Sequence, residues 1–139
     1  MSLAACHLVE LPRVDAGNGS LSYLQTGDQF DFDVQRVYYQ YALPRGARRG
    51  GHAHRELYQM IIAAAGGFEV TLDDGSQKSS VRLDRPDRAL LVVPMIWVEL
   101  HDYTEGSVSL VLASSRFDEQ DYVRDYPEFR RLRATRAVA

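Results

Sequence analysis

Two of the four histidines, His52 and His54, stand two residues apart in RRGGHAHRELYQ (residues 48–59), behind two glycines and an arginine. In extended backbone, residues i and i+2 point to the same side, so the two imidazoles lie next to each other. Three kinds of chemistry fit such a pair: metal ligation, proton transfer, or burial as hydrogen-bonded polar residues of a strand. Imidazole titrates near pH 6.5, which makes it a usable base and a usable acid at neutral pH. Arg49, directly before the glycines, carries a planar fork suited to phosphate or carboxylate.

The elements that must hold these groups read as strands almost throughout. SLSYLQ, QRVYYQYAL, LYQMIIAAA, GFEVTL, SSVRL, ALLVV and SVSLVLA are of strand length, rich in β-branched or aromatic residues, and bounded by Gly, Pro, Asp or Asn. Gly66–Gly67 and the run Asp73, Asp74, Gly75 fall between such stretches and predict a hairpin turn at each place. Only the tail changes period. Phe117, Tyr122, Tyr126 and Phe129 recur at roughly helical spacing behind acidic residues, predicting one or two short helices over about 117–133, split at Pro127. The expected fold is all-β, a sandwich or barrel with a short helical appendix.

Length and composition bound the rest. A chain of 139 residues suits one domain spanning 1–139. No apolar run approaches the roughly eighteen residues of a membrane span, and no basic leader precedes an apolar stretch, so a protein without membrane partner is expected. Cys6 is the only cysteine, which fits a reducing cytoplasm. The net charge of −3 disfavours nucleic acid as a partner, although sixteen basic residues, all arginine except Lys78, thicken around the histidines at Arg45, Arg48 and Arg49.

The wider spacing Gly46, His52, His54, Gln59, Gly66 resembles the first cupin motif, G(x)5HxH(x)3–4E(x)6G, with glutamine in the glutamate position. Beyond it, RVYYQYALPRGARRGGHAHRELYQ, LDDG, LLVVPMIWVELHDY and LVLASSRFDEQDYVRDYPEF follow in order from about Arg36 to Phe129. Together they resemble the WxcM-like sugar-nucleotide 3,4-ketoisomerases, the FdtA and QdtA group. The resemblance implies a cupin jelly roll, a homodimer to which the N-terminal HLVEL segment adds a strand in the partner's sheet, and a dTDP-linked keto-deoxysugar as partner. It also implies isomerisation of dTDP-4-keto-6-deoxyglucose to a 3-keto sugar without metal or other cofactor.

By that resemblance His52 and His54 carry the proton transfers, Arg49 pairs with the diphosphate, and Arg36, which matches the arginine opening RVYY, binds substrate. Tyr39 hydrogen-bonds the sugar or packs in the core; Gln59 donates to a substrate oxygen; Trp97 lines the pocket or fills the barrel end. A metal site is disfavoured, because glutamine ligates more weakly than glutamate and Val98 stands where a further ligand is expected, leaving little anionic donation. Asn18 and Val98 depart from the family pattern and keep a second reading open, a sugar-nucleotide-binding cupin without turnover. A metal-dependent cupin enzyme is the third.

Overall fold

Alternation along the strands decides which face of each is covered, and in this computed structural model, which describes residues 2–138, the pattern builds two layers. One sheet has the order β1 (His7–Glu10), β9 (Arg88–Val92), β6 (Gln59–Ala65), β11 (Val108–Ala113), β4 (Arg36–Gln40). The other has the order β12 (Tyr122–Val123), β5 (Arg49–His54), β10 (Trp97–His101), β7 (Phe68–Asp73), β8 (Lys78–Leu83). A separate hairpin joins β2 (Arg13–Ala16) to β3 (Gly19–Ser22). All strand pairings are antiparallel. The result is a sandwich of two sheets rather than a closed barrel.

Strand β7 shows the logic. Phe68, Val70 and Leu72 point between the sheets and are at most 2% exposed, while Glu69 and Thr71 face outward. They meet Ile61, Ala63, Leu90, Val92 and Val111 of the opposite sheet. Burying each such Val, Leu or Phe side chain stabilises by about 1.5–3 kcal/mol. Strand β6 has no polar alternation in QMIIAAA because both its faces are covered: Met60 and Ile62 pack outward against Phe30 and Leu24 of the long segment before β4. Of the two expected hairpin turns one is present, at Asp74–Gly75 between the paired strands β7 and β8; the turn at Gly66–Gly67 joins no hairpin but carries the chain from β6 in one sheet to β7 in the other.

The tail differs from its helical expectation. Residues 119–121 form one 3-10 turn, Tyr122 and Val123 form strand β12, and a single helix α1 (Tyr126–Val138) follows. Pro127 splits nothing. It sits in the first turn of α1, where its missing N–H needs no partner, behind Asp125, whose carboxylate accepts the Glu128 N–H at 3.0 Å as an N-cap. Phe129, fully buried, then seats α1 on the outer face of the second sheet beside Ala53 and Met95. β1 pairs with β9 of its own chain. No helix among the described residues is long and apolar enough to cross a membrane.

Candidate functional site

Strand β5 aims the histidines. His52 and His54 face between the sheets, whereas Ala53 faces out against α1. The strand begins with a distortion that only glycine permits: the register slips opposite Val98 and Glu99, and Gly50 has φ +81°. A Cβ there would lie 2.6 Å from the Val98 carbonyl oxygen. This bulge lets Arg49 and the histidines serve one cleft.

The imidazole centres are 5.0 Å apart, edge to face. His54 is 3% exposed, and its Nδ1 lies 2.9 Å from Asp121 Oδ2. A carboxylate only accepts, so Nδ1 carries the proton and Nε2 is left with its lone pair. Nε2 is buried and has no hydrogen-bond partner among the described residues; the same is true of His52 Nδ1. Asp121 is itself fixed, taking the Glu56 N–H on Oδ1 at 2.8 Å while its main-chain carbonyl takes the Arg55 N–H. Tyr122 lies across both rings, 4.9 Å from His52 and 4.4 Å from His54, and Arg124 stacks on Tyr122 at 4.1 Å while holding Glu119.

Burial pushes the His52 imidazole down to about 4, with His54 and Arg124 adding to the effect. Burial also lowers His54, against the opposing pull of Asp121. Both are therefore neutral at physiological pH, the form a base requires. The depressed value has a stability consequence of definite sign. The unfolded chain binds a proton near pH 6.5 that the folded chain refuses, so His52 leaves stability intact above 6.5 and erodes it as pH falls toward 4. Between pH 7 and 4.5 the loss is about 2 kcal/mol. Urea denaturation at both pH values checks this, with His52→Asn expected to be the less acid-sensitive protein; equal sensitivity would contradict the assignment.

The cleft beside His52 measures about 490 Å³ and is flanked by Arg36, Arg49 and Arg124. Arg36 has a buried Nε without a partner, and its guanidinium lies 5.1 Å from the Tyr38 ring and 5.7 Å from that of Phe117. Neither Arg36 nor Arg49 has a carboxylate partner among the described residues. Two unpaired cations at one opening suit a dianionic group such as a diphosphate.

Three of the expected site residues lie elsewhere than anticipated. On β4 the inward side chains are Arg36, Tyr38 and Gln40; Tyr39 is 61% exposed on the other face, at the rim of the cleft, and Tyr38 takes the inner place. Trp97 neither lines the cleft nor fills the end of the sandwich. It packs outside, 5.5 Å from Phe129 and 5.2 Å from Tyr126, because the parity of β10 turns Val98 inward and Trp97 toward α1. Gln59 is buried behind the cleft, accepting from Tyr38 Oη at 3.4 Å, so it reaches the opening only through Tyr38. Asp121, Tyr122 and Tyr38 were not among the expected site residues, although they lie within the stretches that carry the resemblance; Asp121 lies 67 residues from the histidine it holds.

The family described as FdtA, WxcM-like, C-terminal, matches residues 4–134. A TDP-4-oxo-6-deoxy-alpha-D-glucose-3,4-oxoisomerase of Aneurinibacillus thermoaerophilus is 35% identical over 124 residues, 89% of each chain. Among solved structures, a histidine-to-asparagine variant of the 3,4-ketoisomerase QdtA from Thermoanaerobacterium thermosaccharolyticum, in complex with TDP-4-keto-6-deoxyglucose, superposes with a TM-score of 0.94. It is 30% identical, over 99% of this chain and 100% of that one. The TDP-quinovose 3,4-ketoisomerase WlaRB from Campylobacter jejuni gives a TM-score of 0.86 at 34% identity, over 91% and 97% of the two chains.

Proposed function

Since the chain belongs to the FdtA (WxcM-like, C-terminal) family, an enzyme family of TDP-sugar ketoisomerases, we propose that it moves the carbonyl of TDP-4-keto-6-deoxyglucose from C4 to C3 by proton transfer through His52 and His54, without a metal. The observation that carries this reading is the orientation of His54. Asp121 holds its Nδ1–H, and the basic Nε2 is left buried and unpartnered, with the ring centre 5.0 Å from that of His52, which lines an arginine-flanked cleft.

The chemistry follows from the substrate. The C4 ketone acidifies the hydrogen on C3, so an imidazole removes that proton and the electron pair forms the C3–C4 double bond of an enediolate. The C3 hydroxyl then gives up its proton and becomes the carbonyl, C4 receives a proton, and the former carbonyl oxygen ends as a hydroxyl. No electron leaves the sugar. Two neutral imidazoles 5.0 Å apart at their centres supply both removal and return. General acid–base assistance of this kind contributes about 10² to 10⁴-fold, and the diphosphate anchored by Arg36 and Arg49 supplies orientation.

The test is incubation with TDP-4-keto-6-deoxyglucose in the presence of chelator, followed by NMR of the product. A 3-keto sugar formed at an undiminished rate is expected. Binding without turnover would make the chain a sugar-nucleotide-binding cupin, and loss of turnover in chelator that zinc or manganese restores would make it a metal enzyme.

The functional unit in this reading is a homodimer. The β2–β3 hairpin stands apart from both sheets with Val14 56% and Leu21 58% exposed, and the outer face of β4 shows Val37 and Tyr39. Apolar side chains exposed in this way mark a surface that a second copy covers. Sedimentation at micromolar concentration is expected to give the dimer; a monomer that stays folded and active on dilution would count against it. The TDP-sugar substrate and the single free cysteine together fit a cytoplasmic enzyme.

A further inference from the structure

The inner face of β4 carries three polar side chains in succession, Arg36, Tyr38 and Gln40, and the chemistry above makes no use of the third. Gln40 Oε1 accepts a hydrogen bond from Ser109 Oγ at 2.8 Å. Ser109 lies opposite Gln40 in the β4–β11 register and is fully buried. A serine hydroxyl has one proton to give; with that proton on Oε1, the NH2 end of the amide is turned away from Ser109. Nε2 makes no hydrogen bond to any described residue, and Gln40 borders the same cleft as Tyr38, Arg49 and His52.

Burying the Ser109 hydroxyl costs desolvation that an apolar side chain of similar volume would avoid. Ser109 uses the oxygen of Gln40 and leaves its two donors unspent, locked in direction by the bond on the other side. We propose that Gln40 is a specificity-determining residue whose Nε2 donates to a neutral oxygen, hydroxyl or carbonyl, on the hexose of the bound sugar nucleotide. The proposal rests on the cleft being the sugar-nucleotide site. Charge separates the hexose from the diphosphate as the target: Arg36 and Arg49 match the phosphate charge, whereas an uncharged amide matches an uncharged oxygen and is the weaker partner for an anion.

Calorimetric titration of the full chain with TDP and with unreactive TDP-glucose separates the two parts of the ligand. Gln40→Met keeps the shape of the side chain and removes the donors. It is expected to weaken TDP-glucose about tenfold, the loss of one hydrogen bond of ordinary strength, and to leave TDP unchanged, with KM for the keto sugar rising in parallel. Ser109→Ala in the same chain removes the stranded hydroxyl and is expected to recover any lost Tm without recovering hexose affinity. Equal weakening of TDP and TDP-glucose would place the donor on the nucleotide and overturn the proposal. Unchanged TDP-glucose affinity with a lowered Tm would overturn it too, reducing Gln40 to a partner for Ser109. Wild-type protein that binds neither ligand would defeat the cleft assignment itself, and this proposal with it.

Discussion

His52→Asn and His54→Asn are each expected to lower kcat for keto migration by about 10² to 10⁴-fold while TDP affinity stays within a factor of about two. Arg49→Ala is expected to do the reverse, raising KM by about 10 to 100-fold, the range that loss of a charged hydrogen bond implies, with a smaller change in kcat. The difference follows from when each group acts. An imidazole that moves a proton stabilises the transition state only, so its loss appears in kcat. A guanidinium on the diphosphate holds ground state and transition state alike, so its loss appears in KM. Asparagine retains polarity but does not titrate near neutrality, and the fold tolerates it because the His52 and His54 rings are already held neutral by burial. Steady-state kinetics beside TDP titration measures both quantities. Wild-type turnover in both histidine variants, or a wholesale loss of folding in both, would return the pair to the role of buried structural residues.

The acid limb of kcat/KM belongs to the same assignment. If His52 in the free enzyme must be neutral, activity should persist well below pH 6.5 and fall only as the pH approaches about 4. A limb centred at 6.5 would mean that the titrating group is a solvated histidine, which His52 is not.

The histidine pair was legible in the sequence because strand parity is exact: HAH in extended backbone puts both rings on one face. Parity without an anchor is less informative. In RVYYQY either Arg36, Tyr38 and Gln40 or Val37, Tyr39 and Tyr41 can face inward, and the choice turns on β4 pairing with β11 at the sheet edge, where the outer face lies bare. Trp97 carries the same ambiguity, settled by the bulky apolar face of α1 that seats on it. Both turns were legible because Gly66 and Gly75 adopt φ of +63° and +98°, which glycine accepts without strain, but the glycines do not say whether the next strand pairs with the last, and only the turn at Gly75 closes a hairpin. Strand β5 itself reads poorly by propensity, two glycines in six residues, since its glycines serve the bulge and not the ladder. The tail misled for a physical reason: aromatic spacing near 3.6 in residues 117–129 reflects docking on two separate features. Tyr122 turns to the histidines, while Tyr126 and Phe129 turn to Trp97.

Asp121 was the residue least accessible to sequence reasoning, and changing it is expected to have the second-largest effect. Asp121→Asn should lower kcat by about 10²-fold or more with TDP affinity preserved; in hydrolase triads the equivalent aspartate-to-asparagine change costs about 10⁴-fold by presenting the wrong histidine tautomer. Here two donors converge on the carboxylate, His54 Nδ1–H on one oxygen and the Glu56 N–H on the other. Asparagine has only one accepting oxygen. If that oxygen keeps the Glu56 N–H, the amide NH2 faces Nδ1, which must then accept, and the proton moves to Nε2 where the base is needed. If the amide turns over, its NH2 meets the Glu56 N–H, and the turn carrying residues 119–121 loosens. The first arrangement preserves the fold and inverts the base; the second disturbs the fold and leaves the base without its anchor. A merely structural role for Asp121 predicts lowered Tm with an unchanged pH profile. The positioning role predicts lost turnover together with a shift of His54 titration to lower pH, since Asp121 is what holds that imidazole up against burial. NMR titration of the His54 ring in the variant reads the shift directly, and turnover at the wild-type rate with an unmoved titration would refute the role.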